Sequence, residues 1–178
     1  MIEKVILVDL DDNPIGEAEK LDAHQQDLLH RAFSIFIFDK ENRLLIQQRA
    51  QDKYHSGSLW TNTCCGHPRP GEETLAAAHR RLYEEINFDC PLQQITKFIY
   101  HAQLDNNLTE HEIDNVFVGI YDGPVNPNPI EIMNYEWKKI GQLKNELQLT
   151  PENFTEWFKI CFDDVIGLFE DDSSLYRT

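Results

Sequence analysis

One stretch of this sequence, residues 61–88, organises the residues that suggest chemistry, and the candidates elsewhere in the chain are interpreted as its partners. Within it, Cys65 is followed by Gly66 and His67. A neighbouring imidazole or metal ion shifts the pKa of a thiol in either direction and can so suit it to proton transfer. A buried cysteine that packs as a small apolar side chain is the alternative interpretation, and we adopt it for Cys64.

Five side chains could serve together as ligands of one metal ion: His24, His30, His67, Glu110 and Glu112. Glu110 and Glu112 are two residues apart, and residues at that spacing on a strand point to the same side. His24 and His30 are six apart, which on a helix is about 240° of rotation, so they converge only if the segment between them is a loop. Imidazoles with carboxylates suit Zn, Mn or Fe, while a surface or hydrogen-bonded histidine is the alternative for each ring.

Other carboxylates and aromatic side chains extend this candidate site. Glu84 and Glu85 either form a solvated face, paired with the arginines four residues earlier, or coordinate Mg²⁺, which prefers oxygen ligands. Tyr100 and Trp157 are either core aromatics or surfaces that stabilise a cation through their π faces. The residue types therefore combine acid–base groups, metal ligands and rings that favour a positive charge.

Chain length and cysteine usage limit the architecture. A chain of 178 residues suits a single domain and buries enough surface to fold without disulfides or metals. The four cysteines show no disulfide-framework spacing, so we expect free thiols in a reducing cytoplasm. No signal peptide opens the sequence, and no apolar run approaches the roughly 18 residues of a membrane helix. We expect a cytoplasmic monomer.

The net charge of -15 bears on the choice of partners. Such a surface repels nucleic acids and anionic lipids, so we expect no nucleic acid and no membrane partner. It also repels a phosphorylated substrate, and an anionic ligand therefore requires a metal ion or a local group of Arg and Lys. Solubility alone is the simpler explanation of the charge.

Hydrophobic patterning predicts a sheet with two main helices. One helix is predicted from Thr74 to Ile86, ended by Asn87, a residue type that tolerates the left-handed conformation. The other is predicted to begin with Thr150 as N-cap and Pro151 at its first position, and the acidic tail after Phe169 is predicted to be loose. Strands are predicted at 2–9, 15–20, 31–38, 43–48, 95–102, 110–121 and 135–140.

Residues 66–88 resemble the Nudix box, written G-x5-E-x7-R-E-U-x-E-E-x-G-U with U apolar. Arg81 stands where the box has a glutamate, and Asn87 where it has its last glycine. Both departures count against an ordinary Nudix diphosphohydrolase, whose helix needs its glutamates to hold metal. The matching positions are Gly66, Glu72, Arg80, Leu82, Glu84, Glu85 and Phe88.

Three separated motifs narrow the resemblance further. The runs at 61–68 and 28–34 and the pair Glu110-x-Glu112 look like the type 1 isopentenyl-diphosphate Δ-isomerase family, over roughly residues 15–165. The resemblance implies the α/β class: a Nudix-like α/β/α sandwich with a mixed sheet, in a single domain. It implies a core at 30–165 and an N-terminal extension at 1–29 that packs on it. It also implies interconversion of isopentenyl and dimethylallyl diphosphate in isoprenoid biosynthesis, through protonation, a tertiary cation and deprotonation.

The same resemblance implies a role for each candidate residue. Catalysis is assigned to Cys65 on one face of the substrate, to Glu112 assisted by Tyr100 on the other, and to Trp157 facing the cation. One divalent ion, Mn²⁺ or Zn²⁺, is implied on His24, His30, His67, Glu110 and Glu112. Glu85 is implied to help hold Mg²⁺ on the diphosphate, with Lys20, Arg49, Lys53 and Arg81 contacting the diphosphate itself.

Two other functions are alternatives to the isomerase. A Nudix hydrolase of nucleoside or other diphosphates predicts release of phosphate or of a nucleotide monophosphate with Mg²⁺. A non-catalytic metal-binding or interaction domain predicts that Cys65→Ala and Glu112→Gln change no reaction. Arg81 favours the isomerase over the hydrolase, because a cation in place of a metal-binding glutamate suits gripping a diphosphate better than cleaving it.

Overall fold

A computed structural model describes residues 3–171; of the tail predicted to be loose after Phe169, Glu170 and Asp171 belong to the last helix and the rest lies outside the described residues. The helices are α1 (Lys20–Gln25), α2 (Thr74–Ile86), α3 (Ile140–Leu149) and α4 (Glu156–Asp171). Short 3₁₀ turns cover Asp105–Asn107 and Pro151–Asn153. The strands are β1 (Lys4–Val8), β2 (Pro14–Glu19), β3 (His30–Phe38), β4 (Arg43–Arg49), β5 (Trp60–Thr61), β6 (Cys64–Gly66), β7 (Gln93–Gln103), β8 (Thr109–Ile120) and β9 (Ile132–Lys139).

Strand β3 is the centre of a mixed sheet. It pairs in parallel with β8 from His30 opposite Glu112 to Phe38 opposite Ile120, and antiparallel with β6, where Ser34 lies opposite Cys65. Strands β7 and β8 form an antiparallel pair, as do β4 and β9. The β1–β2 hairpin joins the sheet where β1 meets the start of β3. Three strands that carry candidate site residues therefore lie side by side.

Alternation along β3 divides the core into two layers. Phe36 and Phe38 pack on one face with α4, and Ile35 and Ile37 pack on the other with α2. Both faces of a central strand are buried in this way only when helices cover the sheet on each side. The α/β class and the sandwich of a mixed sheet between helices are thereby confirmed.

Helix α2 matches its predicted limits. Asn87 follows its last residue with φ 60° and ψ 28°, the left-handed conformation that ends a helix, and its N–H donates to the carbonyl of Tyr83. Within residues 3–171, no helix has the combination of length and apolar composition needed to cross a bilayer.

Two local predictions were wrong. The segment from His24 to His30 is not all loop, because His24 lies in the short helix α1 and a turn then leads to His30 at the start of β3. The last helix begins at Glu156, and Thr150 and Pro151 instead end α3 and open a 3₁₀ turn. Helix α3 itself was not predicted. A proline suits the first position of either helix type, so this signal does not distinguish them.

Candidate functional site

Four of the five predicted metal ligands converge at the edge of the sheet where β3 and β8 begin. His24, His30, His67 and Glu112 each offer a ligand atom, and these atoms all lie within 4.8 Å of one another. His24 and His30 are fully buried, and Glu112 is 4% exposed. The parallel register that sets His30 beside Glu112 is what joins two distant parts of the sequence here.

Backbone carbonyls determine which ring nitrogens of His24 and His30 face Glu112. Nδ1 of His24 lies 2.7 Å from the carbonyl of Lys20, and Nδ1 of His30 lies 2.7 Å from that of Leu28. A carbonyl only accepts, so each ring donates from Nδ1 and keeps a lone pair on Nε2. Neither Nε2 has a hydrogen-bond partner among residues 3–171, although they lie 3.8 and 3.2 Å from Oε1 of Glu112. Buried, unpartnered lone pairs directed at a carboxylate fit a divalent ion.

Glu110 lies close to this group but has different neighbours. Its ligand atom groups with those of His24 and His55, again within 4.8 Å. The phenolic O–H of Tyr100 lies 2.6 Å from Oε2 of Glu112 and 3.1 Å from Oε2 of Glu110, and it can donate to one of them at a time. Tyr100 therefore ties the two buried carboxylates together.

The two carboxylates have opposite electrostatic environments. Burial, and then the charge of Glu112, raise the pKa of Glu110 well above its usual range. Burial also acts to raise the pKa of Glu112, but the neighbouring His67 and His30 hold it well below its usual range. Burial lowers the pKa of His67 to about 3, so the imidazole is neutral at neutral pH and available as a ligand. In the metal-free site, these environments favour the negative charge on Glu112 over Glu110.

The adjacent cysteines point to opposite sides of the sheet. Cys64 packs fully buried against the α2 layer, as expected for a structural residue. Cys65 instead lines a pocket of about 570 Å³, a volume that includes its opening to solvent, together with Glu112, Tyr100 and Trp157. Burial raises the pKa of Cys65 to about 12, so this side chain is a protonated thiol at neutral pH.

Trp157 is held at the pocket by Asn62. The indole N–H donates to Oδ1 of Asn62 at 3.2 Å, and the amide nitrogen of Asn62 donates to the carbonyls of Ile35 and Cys64. Trp157 is 2% exposed at the start of α4, and the guanidinium of Arg49 lies 5.2 Å from its ring centre. The ring is thus fixed in position rather than free to adapt.

The predicted diphosphate-binding cations line the same pocket: Lys20, Arg49, Lys53 and Arg81. Arg81 contacts the carboxylate of Glu85 and lies 3.0 Å from Oε2 of Glu84. Lys53 contacts Glu131, whose Oε2 is also 3.5 Å from Arg81. Glu85 lines the pocket with one buried carboxylate, which also accepts from the amide of Gln47 at 3.0 Å. Although the chain has a net negative charge, these four cationic side chains therefore lie together in one pocket.

Most predicted site residues meet in this pocket, which His55 also lines, while Asn62 and Glu131 contact residues of its lining. Of the predicted residues, only His24 and His30 are not part of the described lining, and they reach the pocket through Glu112. His55, Asn62 and Glu131 were not assigned a role from the sequence. His55 stands in a loop between predicted site residues, which was a usable signal, whereas the partners of Asn62 and Glu131 are visible only in the fold.

Comparison with known proteins first identifies the class. Residues 28–158 match the family model described as NUDIX domain, so this is a NUDIX domain protein. The fold is shared with the crystal structure of DR0079 from Deinococcus radiodurans, with a TM-score of 0.69, 19% identity, and 83% and 90% of the two chains covered. The MutT protein from Methanosarcina mazei gives a TM-score of 0.64 at 14% identity over 82% and 96%. These structures define the fold alone.

Curated relatives identify the family within this class. The sequence is 54% identical to the isopentenyl-diphosphate Delta-isomerase of Serratia proteamaculans, over 93% of this chain and 92% of the relative. It is 54% identical to isopentenyl-diphosphate Delta-isomerase 2 of Photorhabdus laumondii, over 89% and 90%. The chain belongs to the isopentenyl-diphosphate Delta-isomerase family.

Proposed function

We propose that this protein interconverts isopentenyl diphosphate and dimethylallyl diphosphate by protonation and deprotonation. The observation that carries the mechanism is the pairing of a neutral thiol, Cys65, with the ionised Glu112–Tyr100 pair in one pocket. A protonated group and an ionised group in the same pocket are what moving a double bond requires, because one proton is added and another removed.

The proton transfers assign complementary roles to the two groups. In one direction Cys65 gives its proton to a terminal carbon of the alkene, and Glu112 accepts a proton from the neighbouring allylic carbon, through Tyr100 or directly. The thiolate and the carboxylic acid are then reset by exchange with water or by the reverse reaction. The double bond moves by one position, and the diphosphate ester stays intact.

The intermediate is a tertiary carbocation, which needs electron-rich surroundings and exclusion of water. Trp157 offers a fixed ring face for this charge, since its N–H is held by Asn62. Burial of the pocket residues limits water that would otherwise capture the cation. We assign Trp157 this stabilising role, as the resemblance implies.

The diphosphate is held by the four cations that line the pocket: Lys20, Arg49, Lys53 and Arg81. Arg81 replaces the box glutamate, so α2 presents a guanidinium where hydrolases present a metal ligand. We propose that Glu85 would help hold a Mg²⁺ ion, which would neutralise charge on the bound diphosphate.

The buried imidazoles define a separate metal site. We propose that His24, His30, His67, Glu110 and Glu112 hold one divalent ion, Zn²⁺ or Mn²⁺, because the unpartnered nitrogens and paired carboxylates match that chemistry. When bound, such an ion supplies positive charge that keeps both carboxylates ionised and close together. His55 lies near enough to Glu110 and His24 to support the same group.

The organisation of the chain supports this site. We propose a single domain in which residues 1–29 pack on a core at 30–165, since β1 meets β3 and α1 carries both Lys20 and His24 to the pocket. We also propose a monomer in the cytoplasm, where the four cysteines stay reduced, as their free state within the described chain suggests.

The test is proton NMR of isopentenyl diphosphate with the protein and Mg²⁺ in deuterated water. We expect loss of the exomethylene signal and deuterium in dimethylallyl diphosphate, because both acid–base groups exchange with the solvent. Release of phosphate with an unmoved double bond would instead establish a Nudix hydrolase. An unchanged spectrum from a folded, metal-loaded sample would exclude the isomerase and favour a hydrolase of other diphosphates, with nucleoside diphosphates as the next substrates to test.

A further inference from the structure

A second group of ligand-type side chains lies on the outer face of the same strands. This outer cluster consists of Asp27, His101 and His111, whose ligand atoms lie within 4.8 Å of one another. His101 on β7 is directly opposite His111 on β8, with ring centres 5.1 Å apart. Nε2 of His101 lies 2.9 Å from Oδ1 of Asp27, and Nδ1 of His111 lies 3.5 Å from the same oxygen. Three ligands suited to a transition metal, two imidazoles and one carboxylate, therefore meet at one point.

The position of the outer cluster follows from strand alternation. His101 follows Tyr100 on β7, and His111 lies between Glu110 and Glu112 on β8, so side chains alternate between the buried site and the outer face. Asp27 lies in the turn between His24 and His30, with φ 56°, a conformation that Asp tolerates better than most residues. Each of the three segments thus serves the inner site from one side and the outer cluster from the other.

We propose that the outer cluster is a second binding site for a divalent transition-metal ion, best suited to Zn²⁺. Two imidazoles and one carboxylate, with water as the fourth ligand, are a normal zinc set with bonds of about 2.0–2.2 Å. Tetrahedral ligands at that bond length are about 3.3–3.5 Å apart, so the present separations of 2.9 and 3.5 Å need only small side-chain shifts. The side chains are 50%, 54% and 30% exposed for Asp27, His101 and His111, which leaves them free to make those shifts.

Binding replaces the hydrogen bonds of the metal-free cluster. His101 now shares a proton with the Asp27 carboxylate, and Nδ1 of His111 lies 3.2 Å from the Asp27 backbone carbonyl. The ion displaces both contacts and joins the turn to β7 and β8. It thereby ties the segment between His24 and His30 to the strands that carry Tyr100 and Glu112.

His79 provides a matched control. Its Nδ1 lies 2.6 Å from Oδ1 of Asp89 on the surface, and among residues 3–171 no third ligand completes a group around this pair. The comparison separates a true three-ligand site from the general affinity of exposed His–Asp pairs.

The test is equilibrium dialysis of the full chain against Zn²⁺, with metal content measured after dialysis. We expect two equivalents in the unmodified protein and one in Asp27→Asn, His101→Gln and His111→Gln, because each variant removes one of the three protein ligands of the second ion. His79→Gln should retain two. Each variant should still bind one equivalent of Zn²⁺, and this would show that the inner site and the fold are intact.

A single equivalent in the unmodified protein would overturn the proposal, as would two equivalents in all three variants. Loss of the second equivalent in His79→Gln as well would show binding by scattered surface histidines. The readout is metal content and not turnover, so its outcome does not depend on the isomerase activity.

Discussion

The Tyr100 hydroxyl donates to Oε2 of Glu112 at 2.6 Å, inside a pocket where both residues are buried. The geometry follows from the antiparallel register, in which Tyr100 lies directly opposite Glu112. Burial raises the pKa of Tyr100 well above its usual range, so the phenol stays a donor at all working pH values. The hydroxyl can therefore relay a proton while it orients the carboxylate.

Tyr100→Phe removes this hydrogen bond and leaves the ring packing in place. We expect kcat to fall roughly 10-fold to 100-fold, because a positioned acid–base group contributes about 10²-fold or more and Glu112 itself remains. Steady-state kinetics and thermal unfolding would measure the effect. Tyr135→Phe, which removes an exposed hydroxyl on β9, is the control and should be neutral. Equal kcat for Tyr100→Phe and the unmodified protein would remove Tyr100 from the proton path.

The two adjacent cysteines should separate activity from stability. Cys65→Ala should lower turnover by roughly 10³-fold or more while diphosphate binding and the fold survive, because only the acid–base group is lost. Cys64→Ala should keep turnover and reduce the free energy of unfolding by about 1 kcal/mol, because it empties space in the α2 layer. Deuterium incorporation and denaturant unfolding measure the two effects. If Cys64→Ala lost turnover and Cys65→Ala lost only stability, Cys65 would not be the acid–base group.

Substitutions of the adjacent residues Arg81 and Arg80 test which of them binds the diphosphate. Arg81→Ala should raise KM roughly 10-fold to 100-fold, since a charge-assisted contact contributes about 1.5–3 kcal/mol to binding. Arg80 pairs with Glu72 and Glu84 and is not among the described residues that line the pocket. Arg80→Ala should therefore lower stability with little change in KM. An unchanged KM in Arg81→Ala would place the diphosphate elsewhere.

His55 predicts a pH dependence of stability in the metal-free protein. Burial lowers its folded pKa to about 2, while the unfolded value is near 6.5. The unfolded chain binds a proton below pH 6.5 that the folded chain does not, so stability is lost as pH falls. The loss from this one group approaches about 1.4 kcal/mol per pH unit.

His55→Gln should reduce the loss of stability that accompanies a fall in pH below about 6.5. Urea unfolding with a chelator, at about pH 7 and about pH 5, should show a smaller loss in the variant by about 1–2 kcal/mol. Other buried groups contribute to both proteins, so the difference between them isolates His55. Parallel profiles would mean that His55 is charged or solvated in the folded protein.

The sequence predicted the fold where local and tertiary signals agree. Helix α2 was correct to the residue because its apolar face, its ion pairs and Asn87 all indicate the same limits. The start of α4 was wrong because Thr150 and Pro151 satisfy the local rules of a helix start, while the chain needs a 3₁₀ turn before Trp60 and Phe154 can pair.

In the candidate site, too, the sequence was enough to predict some features and not others. Cys65, Glu112 and the histidines are identifiable by type and motif, so the sequence was enough to propose them. The clamp of Asn62 on Trp157 and the bridge of Glu131 between Lys53 and Arg81 join residues far apart in the chain. No periodicity or spacing reports such contacts, because tertiary packing alone creates them.

The parallel pairing of His30 with Glu112 also sets a time order for maturation. During synthesis the buried ligand set cannot exist until residue 112 has left the ribosome and β8 has docked beside β3. Pairing of parallel strands that are distant in the sequence is a slow folding step, so we expect the buried ligand set to assemble late. The buried ligand set is therefore assembled only as the sheet forms, whereas in a zinc finger the binding of metal itself drives folding.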